Sequence, residues 1–183
     1  MKTTAKKSSK PKISADAKAI VLAVERIEKL IMPRSIAANA EPVKDSRFTK
    51  LDATLQNLPD SATHHVAVRD NTSGLIWTAD KVGSDRVTHS AAVAACKKFD
   101  LAGCKEWRLP TIQELLTIVD YERSDPAIDT RFFKNAKSAW YWSSSPCAAY
   151  SDHAWLVGFD GGVSDWLNRN NNGFVRAVRA SQS

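Results

Sequence analysis

The chain has 183 residues, of which 43% are hydrophobic, so it can form one domain of ordinary size together with an additional segment. The net charge is +6, but the five lysines that precede Asp16 account for all except one of these charges, so the remainder has no basic surface typical of nucleic-acid binding. No apolar run is long enough to span a membrane, and the Lys- and Ser-rich start lacks the apolar stretch of a secretory signal.

The first quarter of the chain predicts an arm, a helix and a linker. Residues 1–13 are predicted to be a disordered basic arm. Residues 14–33 predict an N-terminal helix, which Ser14 can cap and Pro33 ends, with apolar residues at alternating spacings of three and four. The β-branched residues in this seam favour a trimer over a dimer, although packing of the helix on its own domain is the alternative. Residues 34–46 are predicted to be a linker, and residues 47–183 a ligand-binding domain.

The next segment predicts a β-hairpin after a lead-in around Arg47 and Phe48. Residues 65–69 are typical of a strand, residues 70–74 are dense in turn-forming residues, and Leu75 to Thr78 is typical of the returning strand.

Two helices are predicted in the middle of the chain. Thr88 or Ser90 can cap the first, and Gly103 is placed to end it. The second starts with a capping box, in which Thr111 and Glu114 each accept a backbone N–H of the other.

The C-terminal part predicts short strands at 140–144, 154–159, 163–167 and 173–178, with a turn at Gly161 and Gly162. Few elements are helical and the strands do not alternate with helices. The fold class is therefore predicted to be α+β with antiparallel pairing.

The reactive side chains form no convincing catalytic or metal site. The three cysteines contain no C-x-x-C pair, which argues against zinc, and Cys96 and Cys104 either meet across a helix end or stay as thiols. Cys147 and His153 are candidates for a thiol–imidazole pair, but the sequence supplies no group to orient them. We therefore expect a non-enzymatic protein without a cofactor or metal.

Two polar segments flank the hairpin predicted at 154–167. Four of the eight asparagines lie within residues 168–172, and residues 148–153 are rich in side chains typical of adaptable recognition surfaces. Each segment is either a binding surface or a plain connecting loop. Strand alternation points Trp166 away from Val163, Asp165 and Leu167, which leaves two interpretations, an exposed ring that stacks on a sugar or peptide and a core residue.

Several motifs occur along the chain in the same order as in a known protein family: Asp70–Trp77, Trp107–Leu115, Trp142–Ser145, Ala154–Phe159 and Val175–Arg179. Over roughly residues 47–180 the chain resembles the domain found at the C-terminus of bacterial collagen-like adhesins and in many phage and bacterial proteins. The resemblance implies a C-type-lectin-like fold, related to that of the formylglycine-generating enzymes, with two flanking helices and with paired N- and C-terminal strands. It assigns four residues to the scaffold: Trp107, Trp142, Trp155 and Arg176.

The chain departs from neighbouring families in two respects. It lacks the triplets with which calcium-dependent lectins hold metal and sugar, so no calcium-bridged sugar site is expected. It also lacks the cysteine arrangement that formylglycine formation requires.

Residues 148–172 also resemble the variable repeats of diversity-generating retroelement proteins, in which surface positions vary and the scaffold is kept. Carried over by position, this implies that the variable residues are Ala148, Tyr150, Ser151, Asp152, His153, Asp160, Asp165, Leu167, Asn168, Asn170, Asn171 and Asn172. Our predicted ligand-binding residues are Tyr150, Ser151, Asp152, His153, Asp160, Asp165, Trp166, Asn168, Asn170, Asn171 and Asn172.

These features lead us to expect a receptor-recognition protein of a phage virion, at a tail tip or fibre, that contacts a protein or glycan on the host surface. The N-terminal region is expected to bind other virion tail proteins and to form a homo-oligomer, with a trimer favoured. A bacterial adhesin, or an intracellular binding or assembly protein, is the alternative, located in the cytoplasm or exported by a non-classical route. No nucleic-acid partner and no membrane insertion are expected.

Overall fold

The structure, a computed structural model, describes residues 46–101 and 103–181. They belong to the second of the two units into which the chain divides, Asp45–Ser183. The predicted basic arm, the helix at 14–33 and the linker up to residue 45 lie outside the described residues.

The first sheet has four antiparallel strands: β1 (Phe48–Leu51), β2 (Ala67–Asp70), β3 (Leu75–Thr78) and β7 (Val178–Ala180). Their order is β1-β2-β3-β7. The predicted hairpin is present as β2 and β3, although β2 starts at Ala67 and not at residue 65. Gly74 closes the hairpin turn with a φ of +70°, a conformation that suits glycine.

The expectation that the N- and C-terminal strands pair is wrong. β1 and β7 lie at opposite edges of the sheet, because the β2–β3 hairpin is inserted between them.

Helix α1 (His89–Lys98) begins after Thr88, which occupies the cap position without making a side-chain capping bond. The prediction that Gly103 ends this helix is wrong, because the helix ends at Lys98. Phe99 turns out of the helix and packs edge-on against Trp107, with ring centroids 5.5 Å apart, and this contact fixes the end. Gly103 lies in the following turn with a φ of +71°.

Helix α2 (Ile112–Thr117) has the predicted capping box. The Glu114 N–H donates to Thr111 Oγ1 at 3.2 Å, and the Thr111 N–H donates to the Glu114 carboxylate at 2.8 Å. Arg108 donates two further bonds of 2.7 Å to the same carboxylate. The cap therefore holds both the helix start and the chain that leads to it.

The second sheet is antiparallel, in the order β4 (Trp140–Pro146), β5 (His153–Gly158) and β6 (Val163–Asn168). Its two faces bury different residues: Tyr141 and Val157 belong to one hydrophobic cluster, Trp142 and Leu156 to another. β6 is at the edge of the sheet, and its first four residues are exposed.

The prediction of a strand at 173–178 is wrong, because this segment crosses from one sheet to the other. The Phe174 N–H donates to the carbonyl of Trp140 in the second sheet, whereas the Ala177 carbonyl accepts the N–H of Thr78 in the first. Only Val178–Ala180 forms a strand. A segment whose backbone bonds are shared between two sheets cannot form one regular ladder.

Arg176 lies within this crossing segment and is fully buried. Its Nη1 donates to the Thr78 and Ala79 carbonyls at 2.5 and 3.1 Å, and its guanidinium lies 5.1 Å from the centre of the Phe133 ring. Burial lowers the pKa of Arg176 from its ordinary value. Arg176, Trp107 and Trp142 are thus core residues, in agreement with their assignment to the scaffold.

Within residues 46–101 and 103–181 the fold is α+β, with two antiparallel sheets and two helices, as predicted for a C-type-lectin-like domain. No helix in the described part of the chain has the length and apolar character needed to cross a bilayer.

Candidate ligand-binding surface

The pairing of β5 with β6 determines which side chains share a face. His153 lies opposite Asn168, and Trp155 lies opposite Trp166. Directly opposed residues point to the same side of an antiparallel sheet, so these four side chains project together. Trp166 is 43% exposed, so the interpretation as a surface ring is correct and the core alternative is wrong.

Four rings make a chain of contacts on this face. Trp155 meets Trp166 edge-on, with centroids 5.4 Å apart. Trp166 and Tyr150 are nearly parallel, with 23° between their planes and 6.4 Å between their centroids, and Tyr150 lies 5.2 Å from the His153 ring. We call Tyr150, His153, Trp155 and Trp166 the aromatic cluster. Tyr150 is 51% exposed, so the cluster presents apolar ring area to solvent at the edge of the sheet.

Asp152 connects the two polar segments beside the aromatic cluster. Its Oδ1 lies 2.7 Å from His153 Nδ1, and its Oδ2 accepts the Asn168 Nδ2–H at 2.6 Å. Its main-chain carbonyl accepts the Arg169 N–H at 2.8 Å. The hydrogen bond to His153, followed by smaller contributions that include Asn168, lowers the pKa of Asp152 below its ordinary value. The two polar segments that flank the hairpin, residues 148–153 and 168–172, therefore lie together.

The asparagine-rich loop is fixed through its backbone and leaves its later side chains exposed. Asn168 Oδ1 accepts the Asn170 N–H at 3.0 Å, and the Asn168 carbonyl accepts the Asn171 N–H at 2.9 Å. The Asn171 side chain also donates to that carbonyl at 3.2 Å. Beyond the loop, Gly173 and Val87 exchange two backbone bonds, which attach the loop to the scaffold. Asn170, Asn171 and Asn172 are all exposed.

Two predicted residues lie apart from the others. Asp165 belongs to the opposite face of β6, and its carboxylate turns back to accept the Trp166 N–H at 2.7 Å, on the outer edge of the sheet. Asp160 lies in the 159–162 turn, at the other end of the hairpin from His153 and Asn168. The structure separates Asp160 and Asp165 from the other predicted residues. It brings together Tyr150, Ser151, Asp152, His153, Trp166, Asn168, Asn170, Asn171 and Asn172.

Trp155 was assigned to the scaffold but also belongs to the surface. It is half-buried, packs against the core and supports Trp166 from below. The signal was available in the sequence, since pairing residues 153–158 with 163–168 places the two tryptophans opposite each other. The sequence did not specify the register of β5 against β6, because this register depends on the length of the turn that joins the two strands.

The Cys147 and His153 side chains do not form the arrangement of a nucleophile and its base. The Cys147 N–H donates to the His153 carbonyl at 3.2 Å, so the two residues meet through their backbones. The imidazole Nδ1 faces Asp152. All three cysteines are free thiols, which excludes the alternative of a bond between Cys96 and Cys104, and burial raises the pKa of Cys96 to about 12.

Metal-binding residues do not cluster in this surface. Within residues 46–101 and 103–181, no group of three or more His, Cys, Asp or Glu side chains is arranged to hold a metal ion.

A separate depression of about 340 Å³ lies around Tyr121, which is 73% exposed. Several of its charged side chains form ion pairs, as in the contacts of Arg131 with Asp129 and of Arg47 with Asp70. A side chain at Gly162 would approach the Tyr121 ring, so Tyr121 lies near the hairpin turn and not at the aromatic cluster.

An α+β scaffold that presents exposed rings and amides at one sheet edge defines a binding domain of the C-type-lectin-like class. Residues 66–179 match the model of the Lcl C-terminal domain family, and the chain belongs to this family. The domain is accordingly a binding domain of the adhesin type. A comparison with curated proteins gives no match.

Proposed function

We propose that the protein is a receptor-recognition component of a phage virion, at a tail tip or fibre, and that it contacts the host surface through the aromatic cluster and the asparagine-rich loop. The observation that carries the proposal is that Trp166, on strand β6, and Tyr150, in the preceding loop, lie nearly parallel and leave 43% and 51% of their surface exposed to solvent. Exposed aromatic residues beside polar side chains are typical of recognition surfaces.

We also propose that the surface binds without catalysis. His153 and Asp152 are held to each other and to Asn168, and Cys147 is buried. A protein displayed in several copies needs only weak individual sites, because avidity raises the overall affinity.

The test is binding of the fluorescently labelled full chain to a panel of bacterial cells, measured by flow cytometry. Wild type is compared with the double variant Tyr150→Ala, Trp166→Ala, and with Tyr121→Ala as a control for loss of an exposed ring elsewhere. We expect the control to bind as wild type does and the double variant to lose binding. Equal binding by all three proteins contradicts the proposal.

The adhesin-type family favours a second candidate, a bacterial adhesin of the same fold. Mass spectrometry of purified virions separates the two, because a tail component is present in the particle and an adhesin is absent from it. The neighbouring DNA tests the proposed diversification: a near-copy of the codons for residues 148–176 beside a reverse transcriptase supports it.

The oligomeric state is a further part of the proposal. We propose that residues 1–33 form the oligomer, with a trimer favoured, and attach the protein to other tail components; the sequence seam at 17–31 supports this. An unchanged mass in solution after deletion of these residues contradicts it.

A further inference from the structure

We propose that Asn172 is a site of spontaneous deamidation, that the backbone pairing of Gly173 with Val87 limits the rate of this reaction in the folded protein, and that the conversion weakens binding by the asparagine-rich loop. The chemical step goes beyond the proposed function and does not depend on it. Only the effect on binding rests on the proposed function.

Asn172 is the one asparagine of the chain that a glycine follows. In deamidation, the backbone nitrogen of the next residue attacks the side-chain carbonyl carbon of asparagine, and a five-membered succinimide ring forms as ammonia leaves. A side chain on the next residue hinders this attack, and glycine has none. Water then opens the ring at either of its two carbonyls, which gives aspartate or isoaspartate. The reaction therefore needs no enzyme and no co-reactant other than water.

Core packing requires the glycine at position 173. Gly173 is buried, and a Cβ atom at this position would lie 2.9 Å from Nε1 of the Trp142 indole. Trp142 is itself fully buried, and the same Nε1 donates to the Val87 carbonyl at 2.8 Å, so the ring has little room to move aside. The scaffold thus excludes the side chain that would slow deamidation, whichever residue the exposed loop carries at position 172.

The amide of Asn172 is available for the reaction. The side chain is exposed, and no residue in the described parts of the chain hydrogen-bonds to it. Two neighbours differ, because the Asn168 amide donates to Asp152 at 2.6 Å and the Asn171 amide donates to the Asn168 carbonyl at 3.2 Å. An amide without such a contact can turn toward the following backbone nitrogen, so we expect Asn172 to react first.

The attacking nitrogen, by contrast, is held in place. The Gly173 N–H donates to the Val87 carbonyl at 3.0 Å, and the Val87 N–H donates to the Gly173 carbonyl at 2.9 Å. The nitrogen is therefore buried and engaged, whereas the amide that it must attack is exposed. The reaction requires this pair of bonds to open, which should slow it about tenfold relative to the unfolded chain.

Deamidation would change the proposed binding surface in two ways. Either product places a negative charge in the loop 168–172, whose one charged residue is Arg169. Isoaspartate also inserts an additional carbon atom into the main chain before Gly173, which displaces the loop from its attachment to the scaffold. Both changes alter side chains and backbone that the ligand is proposed to contact, so the converted protein should bind less well.

The direct test incubates the full chain at mildly alkaline pH, with a parallel sample unfolded in guanidinium. Trypsin cleaves after Arg169 and Arg176, and fragment spectra of the peptide between them assign the conversion of amide to acid to each of its three asparagines. We expect Asn172 to convert several-fold faster than the two asparagines before it in both samples. Its rate should be about tenfold lower in the folded than in the unfolded sample.

Equal rates at the three asparagines overturn the proposed site. Equal rates at Asn172 in the folded and unfolded samples overturn the role of the Gly173 pairing. The variant Asn172→Gln is the control, since its longer side chain disfavours closure of the ring, and it should show no conversion at this position over the same time.

The effect on binding is measured with the same material. Cation-exchange chromatography separates the converted protein from the unconverted protein, and both are tested for binding to the same cells. Weaker binding by the converted fraction supports the proposed effect, and equal binding overturns it. If the unconverted protein does not bind any of the cells, the proposed function fails, whereas the deamidation site is decided by the mass spectra alone.

Discussion

The Asn168 side chain donates from Nδ2 to the Asp152 carboxylate across a distance of 2.6 Å, and so joins two loops that the sequence keeps sixteen residues apart. Asn168 also supports Asn170 and Asn171 through its side-chain and main-chain oxygens. This one asparagine is therefore structural, although it belongs to the same cluster as its exposed neighbours.

Replacement of Asn168 by Ala should lower the free energy of unfolding by on the order of 1 kcal/mol, because two side-chain hydrogen bonds at a partly exposed position are lost. Chemical denaturation measures the change, with Asn172→Ala as the matched control. Equal stability of the two variants would show that Asn168 is not a support of the loop.

The stability of the domain should fall as the pH drops from about 7 to about 5, because of buried His89. Its pKa lies below the ordinary 6.5, mainly through burial, with a smaller contribution from Arg169. Because the pKa of His89 is lower in the folded than in the unfolded protein, neutral His89 adds to the free energy of unfolding. This contribution is complete above pH 6.5, the ordinary pKa, and is lost as the pH falls through the pKa of the folded state.

The melting temperature of His89→Gln should consequently depend less on pH than that of wild type over this range. The exposed His64 provides the control variant, His64→Gln. His65, whose pKa burial also lowers, contributes to the pH dependence in the same direction. Parallel melting curves of wild type and His89→Gln against pH would contradict the assignment.

Iodoacetamide should modify Cys104 in the native protein well before Cys96. Cys104 is partly exposed, whereas Cys96 is fully buried with its pKa raised to about 12, so its reactive thiolate is rare. Peptide mass spectrometry after timed labelling measures both rates, and unfolded protein serves as the reference in which both react. Comparable rates in the native protein would argue against the burial of Cys96 on the inner face of helix α1.

Arg176→Ala should destabilise the domain by about 3 kcal/mol or more, because it opens a cavity and leaves the carbonyls of Thr78 and Ala79 without their shared donor. Arg123→Ala, which removes an arginine with an exposed ion pair, should change stability by less than about 1 kcal/mol. Thermal and chemical denaturation give both values. Similar losses in the two variants would mean that Arg176 is not part of the core.

The sequence predicted those features that depend on neighbouring residues. The Thr111–Glu114 capping box and the turn at Gly74 are local, and each forms as its residues dictate. The adjacency of the two polar segments follows from the hairpin between them. Strand alternation left the position of Trp166 open between a surface ring and a core residue, and only the structure decides for the surface.

Features that depend on distant partners were missed. The segment 173–178 has a strand-like composition, but its backbone bonds go to two different sheets. Gly103 has the conformation expected after a helix, yet the packing of Phe99 on Trp107 ends helix α1 earlier. The contribution of Trp155 to the surface required the register of β5 and β6, which composition does not specify.

The scaffold of this domain holds out side chains that its core does not need. The most direct measurement combines the melting temperature and the binding to cells of the triple variant Asn170→Ala, Asn171→Ala, Asn172→Ala. A double variant that removes exposed amides elsewhere, Gln56→Ala with Gln113→Ala, serves as the control. We predict a nearly unchanged melting temperature and clearly weaker binding for the triple variant, with neither property changed in the control. A large loss of folding stability in the triple variant, or undiminished binding, would contradict the account.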